Sequence, residues 1–461
     1  MRFGTSGFRG VVHDTITDHS CTAVGRALGT LLGSGARVCI GRDSRISGPN
    51  LLHWVGGGLS FTGCDVVDAG MLPTPALAAV TKHGQFDAGV MLTASHNPYP
   101  PEYNGIKLFE ADGLGFSRER ERNIEALCAS GDFASGSGSL ESKTDSLDAY
   151  LASIPSGLAS AAVRSGLKLL VDAGNGAAAG FASTVFRRLG IPVVTVNDNP
   201  DGTFPGRGPE PNESTLSSTY EALMASDADL AACFDGDADR VVFLDRQGFL
   251  GLDGMTSFVA HHRVGLTGCG CIATTVETGM LPWHAVEPLG GYVTRGVVGD
   301  VAVAHTALRE NAALGAETIG VYIFPEHGFY PESMLAVLYV LAACAGPRDI
   351  RDFLGTLPPL FMRKHKLPCS ASLKEMVMER VAPGALVPPG EKVRSVVTVD
   401  GLRVELDDSW LLIRPSGTEP VLRVTVESAD PHRADSLSTY ATETVASLVE
   451  RLFSTARGVE V

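Results

Sequence analysis

Short apolar runs bounded by Gly, Asn, Asp and Ser alternate along most of the chain with longer stretches whose apolar residues recur at helical spacing. The pattern predicts strands over residues 37–40 and 65–69, with a helix over 49–59 between them. Pro73-Thr74-Pro75 opens a further helix, since proline suits a first helical turn. A buried strand, Gly89-Val90-Met91-Leu92, runs into a polar loop. The alternation restarts at Leu167, with strands over 168–172, 192–197, 230–234 and 241–244 and helices over 178–189 and 214–226. It restarts again near Leu252, with helices over 253–263, 303–310 and 332–345 and strands over 271–276 and 314–324. Three similar α/β units are expected. After Pro358-Pro359 the pattern changes to a hairpin around Asp400-Gly401, two strands near 410–413 and 421–427, and an amphipathic helix over 434–453. Residues 130–146 are rich in Gly and Ser and read as a linker or mobile loop.

Composition narrows the function classes. The chain of 461 residues carries 37 basic and 52 acidic side chains, a net charge of −15, which argues against a nucleic-acid surface. Its longest uncharged apolar run, residues 334–345, is shorter than the ~20 residues that span a bilayer, so no membrane partner is expected. Nine cysteines without a CxxC pair indicate neither a disulfide framework nor a zinc ribbon. A glycine-rich segment at residues 3–10 leaves no room for a signal peptide, and a cytoplasmic location is expected.

Candidate chemistry gathers at strand ends, where α/β folds keep their ligands. Thr93-Ala94-Ser95-His96-Asn97-Pro98 follows the buried strand; as Ser-His alone it also reads as a capped turn. Gly174, Gly176 and Ala179, with Asp198 downstream, approximate a dinucleotide fingerprint, although glycine turns serve packing equally well. Asp235, Asp237 and Asp239 alternate between two apolar strands. Like charges this close raise one another's pKa unless a cation intervenes, and a hard divalent ion such as Mg²⁺ is the economical answer; a solvated acidic turn is the alternative. Arg414-Pro415-Ser416-Gly417-Thr418-Glu419-Pro420, with Arg423 on the next strand, can cradle phosphate through amides, hydroxyls and guanidinium groups.

Taken together, TASHNP followed by PPEYNGIK, then DGDADR, then a glutamate at Glu317, then RPSGTEP resemble in order the motifs of the α-D-phosphohexomutases. The closest pattern is that of archaeal phosphoglucosamine mutase-like members. The resemblance spans almost the whole chain. It implies three α/β domains, residues 1–150, 151–250 and 251–360, and a small α+β domain, 361–461, in a heart-like arrangement around a cleft. The implied activity moves phosphate between C6 and C1 of a sugar through phosphorylated Ser95 and a bisphosphate intermediate, which also serves as activator. One Mg²⁺ is implied between Ser95 and the three aspartates. Arg9, His96, Lys107 and Arg240 match positions lining the reacting centre, with Arg9 and Lys107 the candidates for moving protons and His96 orienting the loop. Glu317 would hold sugar hydroxyls, and Arg414, Ser416, Gly417, Thr418 and Arg423 the phosphate; a homodimer is left open.

The third unit departs from the family. Its sugar loop reads Ala316-Glu317-Thr318-Ile319-Gly320-Val321, with Ile319 and Val321 where the family has polar or small residues. Arg295-Gly296-Val297 and Glu332-Ser333 differ as well. The sugar therefore stays open between gluco, manno, glucosamine and pentose phosphates. Two other readings remain: a haloacid-dehalogenase-like phosphatase with Asp235 as nucleophile, and a non-catalytic phosphosugar-binding paralogue.

Overall fold

The computed structural model describes residues 2–4, 7–142, 145–417 and 419–456. Four sheets follow one another along the chain. In the first, Ala88–Leu92, Arg37–Arg42 and Asp65–Met71 run parallel, and Tyr103–Glu110 and Phe8–Val11 add antiparallel strands at one side. Helices Asp18–Leu32 and Gly48–Phe61 cover one face through Val24, Leu28, Leu51 and Val55, and Thr74–His83 covers the other. Ala88–Leu92 is buried along its whole length, as strands covered on both faces are.

The glycine-serine stretch is not a loose tether. Gly136 and Gly138 donate to the carbonyls of Phe61 and Ser60, and Leu140–Ser142 pairs parallel with Val66–Asp68 as an edge strand. Composition misled here because backbone hydrogen bonds need no apolar side chains.

The second sheet carries Leu169–Asp172 beside Leu230–Phe234, from which Val241–Asp245 returns antiparallel. The aspartate-rich segment is the connection of that hairpin. In the third sheet the single strand expected over 314–324 is instead a hairpin, Leu314–Glu317 paired with Val321–Ile323, broken where Gly320 takes a φ of 91°. The break leaves Glu317 at a strand end. The fourth sheet is antiparallel throughout, and helices Ala371–Arg380 and Pro431–Ala456 pack on it. Its strand Val421–Ser428 buries Leu422, Val424 and Val426 and leaves Arg423 on the opposite face.

Apolar packing unites three of these units. One continuous core contains Leu77 and Phe86 from the first, Phe186 and Phe243 from the second, and Phe324 and Leu338 from the third. The fourth sheet has its own core around Val404, Val424 and Leu437. No helix among the described residues is long and apolar enough to cross a membrane.

Candidate active site

In the loop just beyond the fully buried strand Ala88–Leu92 stands Ser95, itself buried and held at a φ of 49°. Left-handed backbone costs a non-glycine residue about 1–2 kcal/mol, so something must hold it there. The Ser95 N–H donates to Thr93 Oγ1 (2.8 Å), and Thr93 Oγ1 donates to Asp43 Oδ2 (2.6 Å). The Ser95 hydroxyl donates to Asp235 Oδ2 at 2.7 Å and lies 3.3 Å from His96 Nδ1. Serine loop and acidic hairpin thus meet although 140 positions separate these two residues. Gly236 makes the approach feasible: a Cβ there would stand 2.4 Å from the Ser95 carbonyl oxygen.

Asp235, Asp237 and Asp239 are all buried, with one carboxylate oxygen of each within 4.8 Å of the others. Lys107 Nζ donates to Asp237 Oδ2 (2.7 Å) and Asp239 Oδ2 (2.5 Å), and Thr74 Oγ1 donates to Asp237 Oδ2 (2.6 Å). The second oxygens, Asp237 Oδ1 and Asp239 Oδ1, are buried with no hydrogen-bond partner. Unpartnered buried acceptors are costly, and these sit among hard oxygen donors suited to Mg²⁺. The donor set fits that ion.

Charges respond to this crowding. Burial pushes the Asp235 carboxyl well up, and Asp239 and Asp237 push it further. Asp239 is raised by burial and by Asp237. For Asp237, burial acts upward but the Lys107 ammonium wins and holds the group below the usual range. Burial would lower Lys107, yet Asp237 and Asp239 keep it above its ordinary value, so it is a cation at neutral pH. His96 is pushed down to about 3 by burial and by Arg240 and Arg9, which makes it a neutral imidazole beside the serine. Arg9 Nη1 donates to the Ala94 carbonyl at 3.4 Å, and Arg240 Nε lies 3.8 Å from Asp239 Oδ1.

The third unit closes on the same hairpin. Ser333 Oγ donates to the Ala238 carbonyl (2.6 Å), and Val241 N–H donates to the Gly320 carbonyl (2.9 Å). Glu317 is buried, accepts from Gly299 N–H at 2.9 Å, and is raised to about 7 by burial and then by Asp300. The two apolar replacements in the sugar loop differ in placement. Ile319 is 39% exposed on the turn, whereas Val321 is buried beside Leu114, Val303, Ala304 and Ile323. A histidine at 321 would enter that apolar cluster.

In the fourth unit Arg414 lies directly across from Arg423 on neighbouring strands. Arg414 donates to Asp400 Oδ2 (2.9 Å) and Glu277 Oε1 (3.1 Å); Arg423 Nη2 donates to Glu419 Oε2 (3.1 Å), and its buried Nε has no partner. The cradle is narrower than its sequence implies. Ser416 N–H is already given to the Val421 carbonyl and its hydroxyl accepts from Glu419 N–H, which leaves the Ser416 O–H and the loop at Gly417. Thr418 lies outside the described residues.

The polar groups around the glycine turn of the second unit are engaged within the protein. Asp198 accepts from Gly180 N–H and Ser183 Oγ at the start of helix Phe181–Arg188, and Arg207 fills the turn by donating to Asp172 and the Phe234 carbonyl. Sequence reading also passed over Asp43, Arg45, Thr74 and Thr93. Asp43 and Arg45 follow a strand parallel to the one before Ser95, a position shared by neighbouring strand ends that could have flagged them.

Comparison with known proteins agrees with this arrangement. Family models described as phosphoglucomutase/phosphomannomutase alpha/beta/alpha domains I, II and III match residues 1–135, 148–248 and 254–360, and the C-terminal domain model matches 373–442. A probable phosphoglucosamine mutase of Methanopyrus kandleri is 38% identical over 98% of this chain and 99% of its own. A phosphoglucomutase/phosphomannomutase of Thermococcus kodakarensis is 37% identical over 94% of this chain and 95% of its own. The crystal structure of a phosphoglucomutase/phosphomannomutase family protein from Burkholderia thailandensis superposes with a TM-score of 0.82 at 27% identity, covering 96% of this chain and 97% of that one.

Proposed function

The chain belongs to the phosphoglucomutase/phosphomannomutase family and is a phosphosugar mutase; from that premise we propose the part each residue takes and the sugar on which it acts. Ser95 carries the phosphoryl group. In the first half-reaction the bond from Ser95 Oγ to phosphorus breaks as a sugar hydroxyl oxygen bonds to it, giving a sugar bisphosphate. In the second, Ser95 Oγ takes the other phosphoryl group back, and Lys107, protonated between its carboxylates, gives the departing sugar oxygen its proton and recovers one from the Ser95 hydroxyl. The first half-reaction runs the same exchange in reverse, the proton of the sugar hydroxyl ending on Ser95 Oγ. Arg9 and Arg240 flank the transferring group, and neutral His96 orients the serine hydroxyl. Mg²⁺ held by Asp235, Asp237 and Asp239 supplies positive charge to a transition state that needs positioning and charge stabilisation more than covalent help. Arg414, Ser416, Gly417, Thr418 and Arg423 anchor the non-reacting phosphate.

The observation that carries this reading is the Ser95 hydroxyl donating to Asp235, with unpartnered buried oxygens on Asp237 and Asp239 beside it. For the sugar, the reading is a 2-amino-hexose phosphate. Glu317 is a buried carboxylate raised by burial and a neighbouring Asp300, a wall on which an ammonium group stabilises the charged form. Ile319 offers no side-chain hydrogen bond on the same turn. Full-length relatives named probable phosphoglucosamine mutase support the choice. Buried thiols at Cys21, Cys64, Cys233, Cys344 and Cys369 support a cytoplasmic setting.

The test couples two measurements. Protein labelled from glucose 1,6-bisphosphate should hold hydroxylamine-stable phosphate that maps to Ser95, and Ser95→Ala should abolish turnover; label on Asp235 or a fully active Ser95→Ala protein rejects the scheme. In a panel of glucosamine, glucose, mannose and ribose phosphates, kcat/KM should be highest for glucosamine phosphate. Equal or better use of the neutral hexoses rejects the amino-sugar assignment while leaving the serine chemistry standing.

A further inference from the structure

Beneath the serine loop lies a buried cation, Arg45, that has no part in the roles above. Its Nη2 donates to the Ser95 carbonyl (2.8 Å) and the Asn97 carbonyl (2.7 Å), its Nη1 to the Tyr103 carbonyl (2.9 Å), and its Nε to Asp43 Oδ2 (3.1 Å). Asp43 in turn accepts from Arg45 N–H (2.9 Å) and from Thr93 Oγ1, the group that receives the Ser95 N–H. Both polar groups of the Ser95 backbone, N–H and C=O, are therefore tied to one buried ion pair. That residue is also the one held at positive φ, where the backbone would otherwise relax.

The second unit presses on the same point. The Phe204 ring covers the Arg45 guanidinium, with 5.0 Å from Cζ to the ring centre. A Cβ on Gly202 would come within 2.8 Å of Arg45 Cα, so the loop carrying Phe204 lies tight against Arg45. Gly236 of the acidic hairpin packs against the Ser95 carbonyl from its own side.

We infer that Arg45 is a positioning residue for phosphoryl transfer: it fixes the peptide planes around Ser95 so that Oγ faces Asp235, and Phe204 keeps it in register with the acidic hairpin. The inference rests on Ser95 being the phosphoryl carrier. Four acceptors in a fork call for a planar guanidinium, which a lysine ammonium does not reproduce. All of these acceptors lie in the serine loop, its following strand or Asp43, and none in the sugar turn or the phosphate cradle. Loss of Arg45 should consequently fall on kcat and spare KM.

Arg45→Lys should lower kcat about a hundredfold, the scale of a misplacement near 1 Å, with KM held within about twofold. Its phosphorylation by glucose 1,6-bisphosphate should slow by a similar factor, followed as the rate at which phosphate appears on Ser95. Phe204→Leu, which keeps the fork and removes only its cover, should lower kcat about threefold or more with KM unchanged. This second variant decides the matter if Arg45→Lys does not fold. A folded Arg45→Lys enzyme with wild-type kcat, or losses that fall on KM in either variant, overturns the inference. Phosphopeptide mapping of the wild type separates the two levels, because label away from Ser95 overturns the parent reading before any variant is measured.

Discussion

Asp239 shows how a single side chain can be a liability in the free protein and an asset in the working one. It is buried, raised by burial and by Asp237, and one of its oxygens has no partner. A metal ion would give that oxygen a partner and cancel the repulsion from Asp237. Asp239→Asn should therefore reduce kcat by about a hundredfold or more, because metal charge stabilises several kcal/mol of transition state. In chelator the same variant should melt near the wild-type temperature, since the burial cost and the Asp237 repulsion that disappear outweigh or match the lost attraction to Lys107. Wild type should gain thermal stability on adding Mg²⁺ and the variant should gain much less, as binding to the folded state alone dictates. Equal gains for both proteins in a thermal-shift titration would remove Asp239 from the ligand set. At this scale the sequence was informative where residues of one charge sign crowd together. It was silent about Thr74, Thr93 and Arg45, whose partners are backbone atoms or residues far away in the chain.

Among the elements, the helix Ser333–Ala342 has the most unusual start. Its cap position is Glu332, buried, which accepts from the Tyr150 hydroxyl at 2.9 Å. Tyr150 belongs to helix Ser146–Ser153, so the contact joins that helix to the third unit. A helix N-terminus favours an anion, and the Tyr150 hydroxyl and the Leu335 amide act in that direction, yet burial prevails and lifts Glu332 to about 8. Tyr150 and Tyr330 are the titratable groups facing it, both raised well above their usual range by burial and by Glu332. The folded state thus keeps a proton that the unfolded chain releases near 4.5. Stability from this group is full below about pH 4.5, falls as pH rises through about 8, and is flat beyond. Glu332→Gln should flatten that decline, by on the order of a few kcal/mol between pH 5 and 9 in urea unfolding. An unchanged slope would mean that Glu332 ionises normally. Elements themselves were read well where apolar periodicity was long. The errors included the 314–324 hairpin and the 140–142 edge strand, where a glycine turn and a polar strand carry no periodic signal. No element was expected over helices Asp18–Leu32, Arg118–Ser130 and Ala371–Arg380 or over strand Phe361–Pro368.

Across the whole molecule, the chemistry and the anchoring stand on different sheets. The first three units share one apolar core, which places Ser95, the aspartates and Glu317 on a common body. The fourth sheet is joined to the third by an apolar cluster of Val276 with Trp410 and Leu412 and by polar contacts: Arg403 donates to the Val276 and Thr278 carbonyls, and Met280 N–H donates to Glu427. The residues proposed to hold phosphate stood out because RPSGTEP is one contiguous segment, but the opposition of Arg414 and Arg423 across two strands was not legible. Arg414 and Arg423 in direct register repel, and like charges facing each other across a sheet destabilise it. Asp400 and Glu277 offset the first and Glu419 the second, and Glu419 is also shared with Lys366. A dianionic phosphate is the partner that turns this repulsion into attraction. Arg423→Gln should therefore leave the free enzyme as stable as wild type or slightly more so, because the lost charge was opposed. It should raise KM by about tenfold or more, the worth of a charge-assisted hydrogen bond. The rate of transfer at saturation should change little, since Arg423 stands on a different sheet from Ser95 and the aspartates and removing uniform binding spares kcat. Steady-state kinetics with a melting curve decide it: a fall in kcat at unchanged KM would place Arg423 in the chemistry, and a large loss of stability would make it a structural residue of the sheet.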